Sequence, residues 1–528
     1  MNSSLQNINR IWKQSGLFAC ARTCGTAWSG SRLALFLLGP GLAAHTGFFQ
    51  GTVTYRILAG IGQVLASLIR QAGKLPARLA GGSITARALG AFSERSYMVL
   101  LIAGAYPLVD YIFRQTPGLT GLAGIWDELL FLLGAALILT RLAFLGETRS
   151  FFTPLDLPLL FFLGTGALLY LLRAPEPEVA LDGLRATFQY SLWYFLATRL
   201  PADLKQARTL LWGLVLVATA VAFYGVYQYI VGVPIPANWV DQAEAGVRTR
   251  VFSWIGSPNV LGSYLVLMFP VTAALLITAR TLRPKLALGC ISLAMLACLV
   301  FTFSRGAWLA FLVVTLLYGL LQDRRLLALI LAGAVLLPVV SPGVANRIQY
   351  TFSGQYVESS QQGGRIGRWE QALDRFLAHP VTGVGLGRFG GATAARYNIP
   401  GTFYVDNYYL KLAVETGLLG LTAFLWLLLN AVRYLSGALR ELAADPDRRA
   451  YACGITAGLL GVLAHNGVEN IFEVPMMQTL FWILLGTVAW MVPGGRRQAP
   501  GRECFLEASP LPRRAARPAS HRLWGNRE

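Results

Sequence analysis

The chain has 528 residues, of which 55% are hydrophobic and 13% are charged, and its formal net charge is +19. This composition is far too apolar for a soluble globular protein and indicates a polytopic membrane protein. Lys and Arg lie in short segments between apolar runs, as in cytoplasmic loops, so the positive charge does not point to nucleic acid as a partner.

Cysteine and histidine usage gives no sign of a metal centre. Of the six cysteines, Cys290, Cys298 and Cys453 lie in apolar runs, where they are typical packing residues. Cys20 and Cys24 lack the partner ligands of a zinc site, and no two of the four histidines share ligand spacing on one helix. We therefore expect neither a metal nor a cofactor.

Hydrophobic runs divide the chain into three regions. Residues 1–95 are basic with scattered apolar pieces, which predicts a cytoplasmic, membrane-adjacent extension, and residues 493–528 form a basic cytoplasmic tail. Between them, in 96–492, apolar runs long enough to cross a bilayer recur. We expect an all-α fold with about twelve transmembrane helices, at 97–113, 122–145, 157–172, 186–200, 208–231, 258–279, 286–303, 306–321, 326–340, 406–432, 451–471 and 475–492.

The distribution of basic residues predicts the orientation. They fall in every second loop, on the side of the basic N-terminus, which places both termini in the cytoplasm. Residues 341–405 then form one long extracytoplasmic loop, and this loop contains Arg365, Arg368, Arg375 and Arg388. Positive charge on the translocated side opposes the usual bias, so we expect it to serve a function there.

Two features stand out inside this loop. Residues 364–377 predict an amphipathic helix that lies on the outer membrane surface or on the helix bundle, with Arg365 at its start, although the helix could be purely architectural. Its apolar face comprises Ile366, Trp369, Leu373, Phe376 and Leu377. The glycine-rich residues 383–387 predict a tight re-entrant turn that brings the backbone close to the membrane or a ligand.

Ionisable residues near predicted helix starts are the other candidates. Asp406, Tyr409 and Glu415 enter the membrane zone, where such residues are costly and usually functional, although Asp406 could equally be a helix N-cap. Arg250 precedes a helix start at Ser257, where a guanidinium and the helix dipole would attract an anion, or it could simply snorkel. For residues 465–470 we favour hydrogen bonding between helices over catalysis.

Several short sequence motifs, in their order along the chain, resemble the O-antigen ligase/polymerase superfamily of bacterial envelope proteins, over roughly residues 97–492. The strings that carry the resemblance are Arg250 with residues 256–259, residues 302–308, Arg365 with Trp369, residues 379–387 and residues 407–420. Each string is weak by itself, and their combination is specific.

The resemblance implies a metal-independent, inverting glycosyltransferase that works outside the inner (cytoplasmic) membrane among membrane lipids. The donor would be a glycan on undecaprenyl pyrophosphate, and the acceptor a hydroxyl of another glycan or lipid. It implies that Arg250 and Arg365 bind the pyrophosphate, and that Asp406 stands where the ligases have a catalytic histidine, which makes the polymerases the nearer analogue. We expect further substrate contacts from Arg305, Arg368, Asn407, Tyr409 and Glu415.

Two other function classes stay open. A lipid or glycan transporter or flippase would also keep charges inside the membrane, but it should show internal repeats, and the sequence shows none. A non-catalytic membrane scaffold would leave Arg250, Arg365 and Asp406 dispensable. Sequence patterns do not separate polymerisation from ligation.

Overall fold

The structure is a computed structural model, and it describes residues 64, 67–69, 71, 95–144, 153–201, 203–236, 239, 249–322, 328, 332–333, 338 and 342–492. Those residues form α-helices, short 3-10 turns and loops, with no strand among them. The all-α prediction is therefore confirmed for this part of the chain. Nearly all of the predicted extension 1–95, most of the predicted span 326–340 and the tail from 493 lie outside the described residues.

Ten α-helices lie in the described ranges between residues 95 and 322. They are α1 (Tyr97–Gly104), α2 (Tyr106–Gln115), α3 (Trp126–Phe144), α4 (Asp156–Leu172), α5 (Pro177–Thr187), α6 (Trp193–Arg199), α7 (Leu204–Val231), α8 (Pro258–Thr278), α9 (Leu282–Phe301) and α10 (Arg305–Leu321). Seven more follow from residue 342: α11 (Pro342–Thr351), α12 (Gly354–Gln361), α13 (Arg365–Ala378), α14 (Ala392–Arg396), α15 (Tyr408–Glu441), α16 (Pro446–His465) and α17 (Pro475–Thr487).

Membrane-spanning character is clear for part of this set. Helices α7, α8, α9 and α15 are long and apolar enough to cross a bilayer, and α1 with α2, bent by 65°, could form a fifth span. Helices α4, α10 and α17 are apolar but shorter. The total of twelve spans stays a prediction. The predicted span 186–200 is not one helix, because α5 ends at Thr187 and a 3-10 turn precedes the seven-residue α6.

Helix α8 lies at the centre of the bundle, since every residue from Leu261 to Leu275 is buried. It packs against α16, where Gly454 and Gly458 face the backbone carbonyls of Pro270 and Leu267. A Cβ atom at either glycine would collide with those carbonyls, so the glycines allow the two backbones to approach closely. Small residues commonly serve this purpose between membrane helices.

Helix α15 is interrupted at Gly417, whose backbone has φ 62° and ψ −163°. The interruption leaves amides without helical acceptors, and a neighbouring segment supplies them: Leu418 N–H donates to the Pro380 carbonyl at 2.7 Å, and Leu419 N–H to Val381 at 3.2 Å. Glycine suits this left-handed conformation because it has no side chain. The glycine-rich turn is thereby held against the broken helix.

The predicted amphipathic helix is present as α13, but its apolar face is divided. Trp369 and Phe376 pack on a small core formed by Ala372, Phe389, Val405 and Val414. Ile366, Leu373 and Leu377 are instead exposed. Helix α13 therefore joins residues 389–414 on one side and leaves an apolar strip on the other.

Candidate functional site

The site is organised around a carboxylate placed between two arginines. Arg368 Nη1 donates to Asp406 Oδ2 at 3.0 Å, and Arg365 Nε lies 3.7 Å from the same oxygen. Residues three apart on a helix lie on one face, so the first turn of α13 presents both guanidinium groups in the same direction. All three side chains are between one fifth and one third exposed, so a ligand could reach them.

Asp406 does not cap helix α15, so its carboxylate is available to contact the two arginines. The N-cap of α15 is Asn407, whose side chain accepts a hydrogen bond from Leu410 N–H at 3.1 Å. The alternative prediction that Asp406 is the N-cap is therefore wrong, because the next residue, Asn407, occupies that position. Asp406 has a left-handed backbone with φ 51°, a conformation in which aspartate is enriched. The backbone N–H of Asn407 also donates to Asn470 Oδ1 at 3.1 Å, which fixes the start of α15 beside residues 466–470.

Glu469 completes the cluster from the segment between α16 and α17. Its Oε2 lies 3.4 Å from Arg365 Nη2 and accepts a hydrogen bond from Asn259 Nδ2. Burial, reinforced by the negative charge of Asp406, raises the pKa of Glu469 to about 7, and the cation of Arg365 opposes this rise. A carboxyl group with such a pKa exchanges protons near neutral pH. We call Arg365, Arg368, Asp406 and Glu469 the arginine–carboxylate cluster.

Arg250 is connected to this cluster through Asn259. Its side chain is 7% exposed and donates to the carbonyls of Thr302 at 3.0 Å and Trp239 at 2.6 Å. Its Nη2 donates to Asn259 Oδ1 at 3.0 Å, and Asn259 in turn donates to Glu469. The structure therefore joins Arg250 and Arg365 in one hydrogen-bonded network, with Arg250 on its inner, buried side.

Arg305 borders the cluster from the start of α10. Its neighbour Gly306 packs directly on His465 and Val468, the residue before Glu469. Its Nη1 donates to Thr351 Oγ1 at 3.3 Å, which ties α10 to the C-terminus of α11.

The hydrogen bonds of Tyr409 and Glu415 lead away from the cluster. The Tyr409 hydroxyl donates to the Leu463 carbonyl at 2.7 Å. Glu415 is 1% exposed, binds the Lys411 ammonium at 2.8 Å and accepts from Phe389 N–H at 3.1 Å. These contacts hold the core of the site in place, which suits positioning better than substrate contact.

The glycine-rich turn approaches other parts of the chain closely. Gly383, Gly385 and Gly387 all have positive φ angles. A Cβ atom on Gly383 would collide with the backbone at Glu415, and one on Gly387 would collide with the Val179 carbonyl in α5. These close approaches account for the glycines without a ligand.

The sequence predicts hydrogen bonding between helices for residues 465–470, and Glu469 does bond to Asn259 of α8 and Arg365 of α13. What the sequence does not indicate is that these bonds bring Glu469 into a cluster with Arg365 and Asp406. The available signal was two acidic residues, Glu469 and Glu473, between two apolar runs with no Lys or Arg nearby in sequence to pair with them. Among the described residues, no group of three or more His, Cys, Asp or Glu side chains could hold a metal ion.

Comparison with known proteins supports the resemblance. Residues 290–425 match the family model described as O-antigen ligase. A stretch of 137 residues is 27% identical to an O-antigen polymerase from Salmonella muenchen, covering 25% of this chain and 34% of that protein. This chain thus matches about a third of the length of that curated relative. The matched family range contains Arg305, Arg365 and Asp406, and it ends before Glu469.

Proposed function

We propose that this chain is a membrane glycosyltransferase that moves a glycan from undecaprenyl pyrophosphate to an acceptor hydroxyl, in envelope polysaccharide polymerisation or ligation. The observation that carries this proposal is the arginine–carboxylate cluster, in which Asp406 lies between Arg365 and Arg368 and Glu469 contacts Arg365. The similarity to O-antigen ligases and polymerases supports the same class of reaction.

Arg365 and Arg368 are proposed to bind the pyrophosphate of the donor. Guanidinium groups bind phosphate oxygens through paired, charge-assisted hydrogen bonds, and Asp406 keeps the two groups oriented until the donor arrives. Negative charge grows on the pyrophosphate as it leaves, so fixed cations lower the barrier. In this scheme no metal is required, because the arginines supply the positive charge.

Glu469 is the carboxylate that best fits a general base. A base works most efficiently when its pKa lies near the operating pH, and the pKa of Glu469 is raised to about 7. Asp406 contacts both arginines and is better suited to act as their counter-ion. The sequence-based assignment of Asp406 as the base stays a prediction that variants of the two residues can decide.

The reaction is a single displacement at the anomeric carbon. The acceptor oxygen attacks from the side opposite the pyrophosphate, a new glycosidic bond forms, and the bond from the anomeric carbon to the pyrophosphate oxygen breaks. The acceptor proton passes to Glu469, and undecaprenyl pyrophosphate leaves with the bonding electron pair. One displacement inverts the anomeric configuration. Arg250 and Asn259 position Glu469 for this step.

We further propose that the cluster faces the extracytoplasmic side of the inner membrane and that both termini are cytoplasmic. The alternation of basic segments supports this orientation. A cysteine introduced at Gln362, an exposed residue before Arg365, should react with a membrane-impermeant thiol reagent in intact spheroplasts. A cysteine at exposed Ala443, just beyond the C-terminal end of α15, should react only after the membrane is opened. The reverse pattern would contradict the orientation.

The functional test is complementation of a deletion strain, scored by the length of the surface glycan. Arg365→Ala and Glu469→Gln should abolish long glycan and cause short lipid-linked units to accumulate at normal protein levels. Arg396→Ala removes an exposed arginine that pairs with Asp182, and it should behave as wild type. Normal glycan from both cluster variants would favour a transporter or a scaffold.

A further inference from the structure

Two tyrosines and an arginine form a compact aromatic group beside the arginine–carboxylate cluster. The rings of Tyr350 and Tyr356 lie 5.7 Å apart with 70° between their planes. The Arg305 guanidinium lies 5.8 Å from the first ring centroid and 4.6 Å from the second. All three side chains are half-buried, so the group is partly open to the surface. We call this group the tyrosine platform.

The turn between α11 and α12 holds the platform in a defined shape. Ser353 caps α12 by accepting from Tyr356 N–H at 3.2 Å, and its hydroxyl donates to the Tyr350 carbonyl at 2.7 Å. Thr351 accepts from Arg305 at 3.3 Å. These bonds fix the backbone that carries the two rings before any ligand binds, which lowers the entropic cost of binding.

Two segments of the chain connect the tyrosine platform with the arginine–carboxylate cluster. Arg305 precedes Gly306, which packs on Val468 beside Glu469. Tyr356 lies in the first turn of α12, and α12 packs on α13, where the Ser360 hydroxyl accepts from Ile366 N–H at 3.3 Å. A group bound at the platform would therefore lie next to the pyrophosphate site.

We propose that the tyrosine platform binds a pyranose ring of the transferred or accepting glycan, an inference that rests on the proposed glycosyl transfer. The faces of an aromatic ring carry partial negative charge and attract the weakly positive C–H groups on one side of a sugar. Tyrosine hydroxyls and a guanidinium also match the sugar hydroxyls as hydrogen-bonding partners. Tyrosine offers this contact area at low conformational cost.

The test uses the full chain in lipid nanodiscs with two probes: lipid-linked glycan extracted from the source cells, and undecaprenyl pyrophosphate without sugar. For Tyr356→Ala we expect about tenfold weaker binding of the glycosylated lipid, with unchanged binding of the bare lipid. Tyr356→Phe should keep most of the affinity, because it keeps the ring. Tyr397→Ala is the matched control, since Tyr397 has a similar arginine contact at 5.5 Å but hydrogen-bonds to Asp182 instead.

The transfer reaction separates the two possible sources of the sugar ring. If donor binding is unchanged but the KM for the acceptor rises about tenfold in Tyr356→Ala, the platform holds the acceptor. Tyr350→Ala should show the same selective loss, and it guards against a folding defect peculiar to one variant. If both alanine variants keep wild-type donor affinity and acceptor KM, the platform is not a sugar site. A wild-type chain that binds neither lipid and forms no product would instead refute the proposed transfer.

Discussion

The pH dependence of transfer should report on Glu469 and its two charged neighbours. Only ionised Glu469 can accept the proton of the acceptor, so the wild-type rate should rise with pH through about 7 and then level off. Removing the carboxylate in Glu469→Gln should lower the rate by about 10²- to 10⁴-fold, the usual contribution of a general base, and abolish this rise.

The neighbours should shift the midpoint of that rise in opposite directions. Asp406 raises the pKa of Glu469 and Arg365 lowers it. Asp406→Asn should therefore move the midpoint to lower pH, and Arg365→Ala should move the midpoint of its residual activity to higher pH. Both side chains are partly exposed, so solvent screens these interactions and the two midpoints should move modestly.

The assay is the initial rate of glycan transfer in proteoliposomes containing purified protein, donor and acceptor, measured over a pH series at fixed ionic strength. Asp182→Asn is the control, because it removes a carboxylate that pairs with Arg396 and should leave the midpoint unchanged. Midpoints that move in the same direction in Asp406→Asn and Arg365→Ala would refute this electrostatic reasoning. Loss of activity at every pH in Asp406→Asn, with a normal rise in Glu469→Gln, would make Asp406 the base.

Three further predictions concern the donor site and its support. Arg365→Lys should retain more activity than Arg365→Ala but stay well below wild type, because an ammonium cannot form the paired hydrogen bonds of a guanidinium. The affinity of each variant for the lipid-linked donor tests this order. Lys411→Met should destabilise the protein by about 3–5 kcal/mol, because it leaves the buried carboxylate of Glu415 unpaired. The double variant Lys411→Met with Glu415→Gln should recover part of the lost stability, measured by thermal unfolding. Gly417→Ala should lower the Tm, because its left-handed backbone disfavours a side chain and a Cβ would collide with Val381; Gly289→Ala, where the added atom meets open space, should not.

Much of the fold followed from apolar patterning. The starts of α8 and α13 were predictable, because a proline at the helix start and helical periodicity are local signals. Helices α11, α12 and α14 were not predicted, since residues 341–405 were expected to form a loop with one helix. The region 186–200 was not, since a helix interrupted by a 3-10 turn keeps the same apolar composition as a continuous span. The interruption at Gly417 was equally hidden, because it depends on acceptors from residues 380–381.

The charged residues of the candidate site were predictable from residue type, but the contacts between residues distant in sequence were not. Arg365, Arg368 and Asp406 were found because charge is unusual in an apolar chain, and they do come together. Glu469 reaches the cluster across 104 positions from Arg365, and no local pattern encodes that distance. Glu415 pairs with Lys411 one helical turn earlier, and the i, i+4 spacing by itself does not tell a buried ion pair from an exposed one.

The most direct measurement is whether purified protein couples the formation of a glycosidic bond to the release of undecaprenyl pyrophosphate. Proteoliposomes would receive lipid-linked glycan and acceptor in the presence of a metal chelator, and both products would be quantified over time. A metal-independent glycosyltransferase should yield one released carrier lipid for each bond formed, and Glu469→Gln should slow the appearance of both products together by about 10²- to 10⁴-fold. Movement of intact lipid-linked glycan across the membrane without bond formation would contradict the proposed function and indicate a transporter.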